Sequence, residues 1–293
     1  MIKIKFNSFT YILLFFSFLL SSCSSRIKIP YLNNIDKSIN FETDNKRVVA
    51  LTSLTADLVN RLDSESLVAI PGSSLLKNNE QFNNKIVVSE GRNPPNIEKI
   101  ISLEPDLVLG AKGFHSKALA QLNALGIQTI TSEVRNWNDL DLLIEEIGEY
   151  LLVDTPPLDS LAPYCSYDPN ESTSDGTIVL VSSSPLLSPN KNSWAGSLLD
   201  KFNINNVIRD IQSKSAFAGY VTLSPEVLLE ENPDNIIVVD TSNDMRSLFL
   251  SKSYTSALKA VNKNSVYSFD YYGLINPGSI ESINNTCQKL IKL

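Results

Sequence analysis

One device occurs twice in this chain and limits the folds open to it: a capped helical turn, a Pro-Asp break, then a short aliphatic run. The first copy is NIEKIISLEPDLVLG, from Asn96 to Gly110, and the second is SPEVLLEENPDNIIVVD, from Ser224 to Asp240. In each an acid stands two places after the capping residue, Glu98 after Asn96 and Glu226 after Ser224. Pro105 follows Glu98 by seven residues, and Pro233 follows Glu226 by the same seven. Proline cannot continue a helix, and an aliphatic run this short and unbroken suits a parallel strand buried on both faces. The match extends outwards. VVAL opens at Val48, 50 residues before Glu98, and IVLV opens at Ile178, 48 residues before Glu226. Each copy is followed by a helical stretch and a further strand, IQTIT from Ile127 and SVYSF from Ser265. Order and spacing together predict an α/β chain of two similar Rossmann-like lobes with parallel sheets.

A chain of 293 residues, 43% hydrophobic, can give both lobes a core of their own. Its net charge of −7, with no basic run, argues against a nucleic-acid partner. At the N-terminus Lys3 and Lys5 precede an apolar run from Phe9 to Leu20, which ends in Ser21, Ser22 and Cys23. The run is too short to span a bilayer comfortably and has the layout of a signal peptide. Leu20-Ser21-Ser22-Cys23 resembles a bacterial lipobox, which implies a signal peptide over residues 1–22 and a lipid on Cys23. The protein is then expected on the periplasmic side of the cell envelope, tethered to a membrane through the polar residues 23–46. Cys165 and Cys287 remain, to be read either as a bridge or as two buried thiols. With His115 the only histidine, a structural zinc site has too few ligands.

The lobes are expected over residues 47–136 and 177–293. Arg47 to Leu51 reads as the first strand and Thr55 to Leu62 as an amphipathic helix capped by Ser53 or Thr55. Helices alternate with strands and no two-residue hairpin turn stands out, which favours parallel sheets throughout. Between the lobes, Trp137 to Leu152 carries apolar residues at helical spacing, among them Leu140, Leu143, Ile144, Ile147 and Leu151. This is the predicted connector, stopped by Pro156 and Pro157, with an irregular segment completing 137–176. In the second lobe Ser182–Ser193 and Asp210–Thr222 read as loops, Trp194–Phe202 as a helix, and Ser279–Leu290 as the final helix.

RVVALTSLTADLVNRL, NIEKIISLEPDLVLG and LSPEVLLEENPDNIIVVD, in that order, resemble the substrate-binding proteins of ABC importers for iron chelates and cobalamin. The likeness runs from Arg47 to Leu290. It implies two α/β lobes joined by one long rigid helix, with ligand held in the cleft between them and no catalysis. It also implies that Glu98 and Glu226 are docking residues, one per lobe, for arginines of an ABC permease. Two departures stand out: the connector is cut short, and Pro277-Gly278 lacks the arginine that many members carry before the last helix.

Ligands of α/β sheets sit on the loops that follow strand ends. Here those are Thr52–Leu54, Gly91-Arg92 and Lys112–Phe114 in the first lobe, and Pro185–Trp194, Phe217–Tyr220 and Asp270–Tyr272 in the second. The expected contact residues are Arg92, Lys112, Phe114, Trp194, Phe217, Tyr220, Tyr271 and Tyr272, flat aromatics suiting a macrocycle or catechol. The resemblance implies an iron-siderophore, haem or corrinoid as cargo, the metal entering only within the chelate, no cofactor, and a monomeric protein. A bare zinc or manganese receptor would want several histidines or carboxylates. Two other classes remain: an assembly lipoprotein with a vestigial cleft, and an envelope hydrolase. The second has no G-x-S-x-G or H-E-x-x-H motif behind it.

Overall fold

The computed structural model describes residues 46–90, 93–166, 173–212, 217–240 and 244–293. The expected signal peptide, Cys23 and the tether lie outside the described residues. No described helix is long and apolar enough to cross a membrane.

Five strands, β1 (Val48–Ala50), β2 (Leu67–Gly72), β3 (Ile86–Glu90), β4 (Leu107–Ala111) and β5 (Gln128–Ser132), form a wholly parallel sheet in the order β3-β2-β1-β4-β5. The second half supplies β6 (Thr173–Leu180), β7 (Ser182–Ser183), β8 (Leu186–Pro189), β9 (Ile204–Asn206), β10 (Tyr220–Leu223), β11 (Asn235–Asp240) and β12 (Val266–Asp270). Four of these make a second parallel sheet, β12-β11-β6-β9. The two sheets share one plan: β2-β1-β4-β5 corresponds to β9-β6-β11-β12. The repeated device occupies the same place in each, before β4 and before β11.

The correspondence reaches single residues. Asn96 caps the helix Ile97–Ser102 by accepting the Lys99 N–H at 2.9 Å, and Ser224 caps Pro225–Glu231 by accepting that of Val227. The residue just before each proline is left-handed, Glu104 at φ 47° and Asn232 at φ 38°. Proline disfavours the right-handed helical region for its predecessor, so both helices end there.

The second lobe departs from the all-parallel expectation. Residues read as loops contain β7, β8 and β10, an antiparallel ribbon in the order β10-β8-β7. It turns through the cis peptide Ser184-Pro185. The first helix also starts earlier than expected, over Ser53–Leu62, with Thr52 as its cap.

Alternate residues of the central strands feed different cores, as the two-residue period of a strand requires. Val48, Ala50, Leu107 and Leu109 face one core, while Val49, Leu51 and Val108 face another that belongs to the first lobe. In the second lobe Val179, Ile237 and Val239 face that same first core, and Ile178, Leu180, Ile236 and Val238 face a core of their own. One apolar interior therefore runs through both lobes. Leu54 and Leu58 of the first helix, Ile144 and Ile147 of the connector, Leu198, and Ile283 of the last helix fill it.

The connector spans Trp137–Leu151. The prolines do not stop it: Leu152 turns left-handed at φ 59°, and the Val153 N–H closes the end on the Gly148 carbonyl. Thr155 folds back so tightly that a Cβ on Gly148 would lie 2.1 Å from its methyl group. The last helix, Ile280–Leu290, is tied back by the Cys165–Cys287 disulfide, which settles the reading of those cysteines as a bridge.

Candidate functional site

The carboxyl ends of β1, β2, β4 and β5 open onto two adjoining hollows that share Thr52, Ser53, Ala111 and Asn276. One, about 300 Å³, is walled by Thr52, Ser132, Val134, Tyr220, Tyr271 and Pro277 among others. The other, about 620 Å³, takes in Gly72, Lys77, Glu90, Phe114, His115 and Tyr272. The first lobe contributes strand ends. The second contributes the start of β10 and the loop after β12, so residues of both lobes face the same space. A further hollow of about 690 Å³, between Ser74–Phe82 and the start of the last helix, meets the larger of these at Ser74 and has Asp57 in its wall.

The tyrosines are held firmly. Tyr271 and Tyr272 pack edge to face, with centroids 5.4 Å apart. Gly278, at φ 68°, lets the chain pass under Tyr272; a Cβ there would lie 2.7 Å from the ring. Burial, helped by Tyr271 nearby, raises the Tyr220 phenol well above the usual tyrosine range, so it keeps its proton and remains a hydrogen-bond donor. In the larger hollow Ala111 donates its N–H to His115 Nδ1 at 3.0 Å. Burial lowers the His115 pKa, which favours the neutral ring. Phe114 packs edge-on against that ring at 4.8 Å and is itself 59% exposed.

Of the residues expected from the sequence, Phe114, Tyr220, Tyr271 and Tyr272 come together here. The others are placed differently. Lys112 points away and pairs with Glu133 at 2.7 Å. Trp194 is 4% exposed and donates its indole N–H to the Gly273 carbonyl at 2.8 Å, so it lies beneath the cavity instead of in its wall. Phe217 is exposed and borders neither hollow. Arg92 lies outside the described residues. Sequence reasoning missed Lys77, Glu90, Ser132 and Asn276; strand-end position alone could have marked Glu90 and Ser132. Glu98 and Glu226 are both exposed in the first turns of their helices. The Ser224 hydroxyl, and then its own backbone N–H, hold the Glu226 carboxyl below its ordinary pKa.

Residues 48–152 match the family model described as periplasmic binding protein. That match takes in the first lobe and the connector. The resemblance read from the sequence is to proteins of the same kind. An uncharacterized ABC transporter substrate-binding lipoprotein, YvrC of Bacillus subtilis, is 26% identical over 194 residues. That match covers 60% of this chain and 58% of YvrC, so it spans little more than half of the relative's length. Solved structures of the same fold cover more. An ABC transporter substrate-binding protein from Listeria monocytogenes EGD-e superposes with a TM-score of 0.66 at 17% identity, over 85% of this chain and 98% of that one. The periplasmic vitamin B12 binding protein BtuF of Vibrio cholerae gives 0.59 at 18% identity, over 84% and 97%. The chain thus shares its two-lobed α/β fold with these two solved structures.

Proposed function

We propose that this protein is the substrate-binding component of an ABC importer, anchored in the cell envelope by a lipid on Cys23, and that it binds a metal chelate without transforming it. The observation that carries this reading is the pair of joined hollows at the strand ends, to which residues of both lobes contribute. Their lining suits a large, flat, weakly charged ligand. Tyr220, Tyr271, Tyr272 and Phe114 offer ring faces and edges. Among the described lining residues Lys77 is the one cation, and Glu90 offsets it. A corrinoid or haem therefore fits better than a ferric catecholate, whose several negative charges would want arginines. Among the described residues no three His, Cys, Asp or Glu side chains converge to hold a bare metal ion.

Glu98 and Glu226 are the docking residues in this reading, one exposed carboxylate per lobe. A permease that engages both senses how the lobes are set, and with it whether cargo is present. The protein acts as a monomer with the permease as its partner.

The experiment is a titration of the lipid-free chain with cyanocobalamin, haemin, a ferric hydroxamate and a ferric catecholate. Tryptophan emission, corrected for ligand absorbance, and calorimetry give the readout. Saturable one-to-one binding of cyanocobalamin or haemin at micromolar concentration or below is the expected result. No saturable binding by any of the four on folded protein would overturn the proposal and favour an assembly role with a vestigial cleft.

A further inference from the structure

The cleft tyrosines open a segment that starts as a kinked helical turn, Tyr271–Leu274, and rides on the last helix. From Tyr271 to Ser279 the chain runs between β12 and the last helix. Within this segment, Gly273 donates its N–H to the Asn276 carbonyl at 2.7 Å, and Asn276 Oδ1 accepts the N–H of Gly278 at 3.0 Å. Leu274 and Ile275 anchor it in the shared interior, Gly273 lies against Ser282 and Thr286 of the last helix, and two polar attachments reach beyond it. On the second-lobe side, Trp194 donates to the Gly273 carbonyl. On the first-lobe side stands Asp57, in the middle of the helix Ser53–Leu62.

Asp57 is 4% exposed, and its Oδ2 accepts the N–H of Ile280 at 2.8 Å. Ile280 is the first residue of the last helix, where the N–H groups have no partner within the helix and the helix dipole favours a negative charge. Arg61, one turn along, meets both Asp57 oxygens at 3.0 Å. Asp57 itself does not line either of the joined hollows. Its hydrogen bond to Ile280 falls two residues after Gly278, the glycine that lies against Tyr272.

We infer that Asp57 is a positioning residue for ligand binding: its buried carboxylate clasps the start of the last helix to the first lobe and so sets the Tyr271–Tyr272 loop against the strand ends. The inference rests on the proposed binding role of the cleft. Without the clasp the start of the last helix and the segment that rides on it lose their register on the first lobe, and the Trp194 bond to Gly273 loosens with them. The binding-competent arrangement is then a fraction of the population, and apparent affinity falls by that fraction.

The test uses a Trp137→Phe background, in which Trp194 is the sole tryptophan and reports on the loop through its bond to Gly273. Three variants are compared: Asp57→Ala, which removes the acceptor; Asp57→Asn, which keeps an acceptor and loses the charge; and Arg61→Gln, which leaves the clasp in place. Emission wavelength, acrylamide quenching and far-UV circular dichroism are measured, with affinity for cyanocobalamin and haemin. Asp57→Ala is expected to keep its circular dichroism, shift Trp194 emission to the red, and bind about tenfold more weakly, the equivalent of one lost buried hydrogen bond. Asp57→Asn should fall between it and the parent, and Arg61→Gln should resemble the parent. Parent-like emission and affinity in Asp57→Ala would overturn the inference, as would equal losses in all three variants. Should Asp57→Ala fail to fold, the ordering of Asp57→Asn against Arg61→Gln decides. If the parent binds neither probe, the receptor reading falls while emission and quenching still test the clasp.

Discussion

Replacing both Cys165 and Cys287 by Ala tests how the last helix is secured. The bridge joins residues 122 positions apart, and both cysteines are fully buried. Chain-entropy reasoning for a loop of that size gives about 5 kcal/mol of stabilisation, through restriction of the unfolded chain. Alanine is the suitable replacement, because a serine hydroxyl at either site would need a partner in an apolar interior. In guanidinium chloride a chain of this size should have a denaturation slope of about 5 kcal/mol/M, so the midpoint should fall by about 1 M. Burial adds a second expectation: dithiothreitol should reduce the native bridge only at the rate at which the protein opens. Urea at sub-denaturing concentration should then speed the release of free thiol. An unmoved midpoint with an unchanged slope would refute the entropic argument. Fast reduction of fully folded protein would refute the placement of the bridge in the interior.

Three other perturbations address the cleft and its surroundings. Glu98→Ala with Glu226→Ala should leave chelate affinity unchanged while abolishing uptake in cells that depend on the importer; weakened binding would contradict a docking role. Gly278→Ala should cost about 1 kcal/mol in left-handed backbone strain, and should weaken cyanocobalamin or haemin binding because its Cβ displaces Tyr272, as denaturation and titration would show. His115 has a folded-state pKa below its unfolded value of 6.5. Its contribution is therefore present above about pH 6.5 and is lost as pH falls through the folded pKa, because the unfolded chain takes up the proton first. Stability measured across that interval should fall less steeply in His115→Gln than in the parent.

The plan of the parallel sheets could be read from the sequence because continuous aliphatic runs mark strands buried on both faces, and Pro105 and Pro233 place the breaks. The connector was equally plain from its periodicity. The antiparallel ribbon was hidden because β7 is a serine pair and β8 ends in Pro189; neither alternates or forms an apolar run. The end of the connector was read from Pro156 and Pro157, but it is set by Leu152, a residue type that gives no sign of a left-handed turn. Aromatic residue type identified Tyr220, Tyr271 and Tyr272, yet could not separate a cleft ring from a core ring, and Trp194 proved to be the latter. Asp57 pairs locally with Arg61, one helical turn on. Its second partner stands 223 residues away, beyond the reach of any local pattern.

The interior shared by the two lobes has a consequence for how the molecule comes into being. A chain delivered from its N-terminus presents β1 to β5 and the first helix long before Ile280, Ile283 and Leu290 arrive. Until then Leu54, Leu58 and Ile144 lack part of the surface against which they pack in the finished protein. The first lobe thus waits, incomplete, for the final segment of the chain. Truncating the last helix would therefore strip packing from both lobes at once.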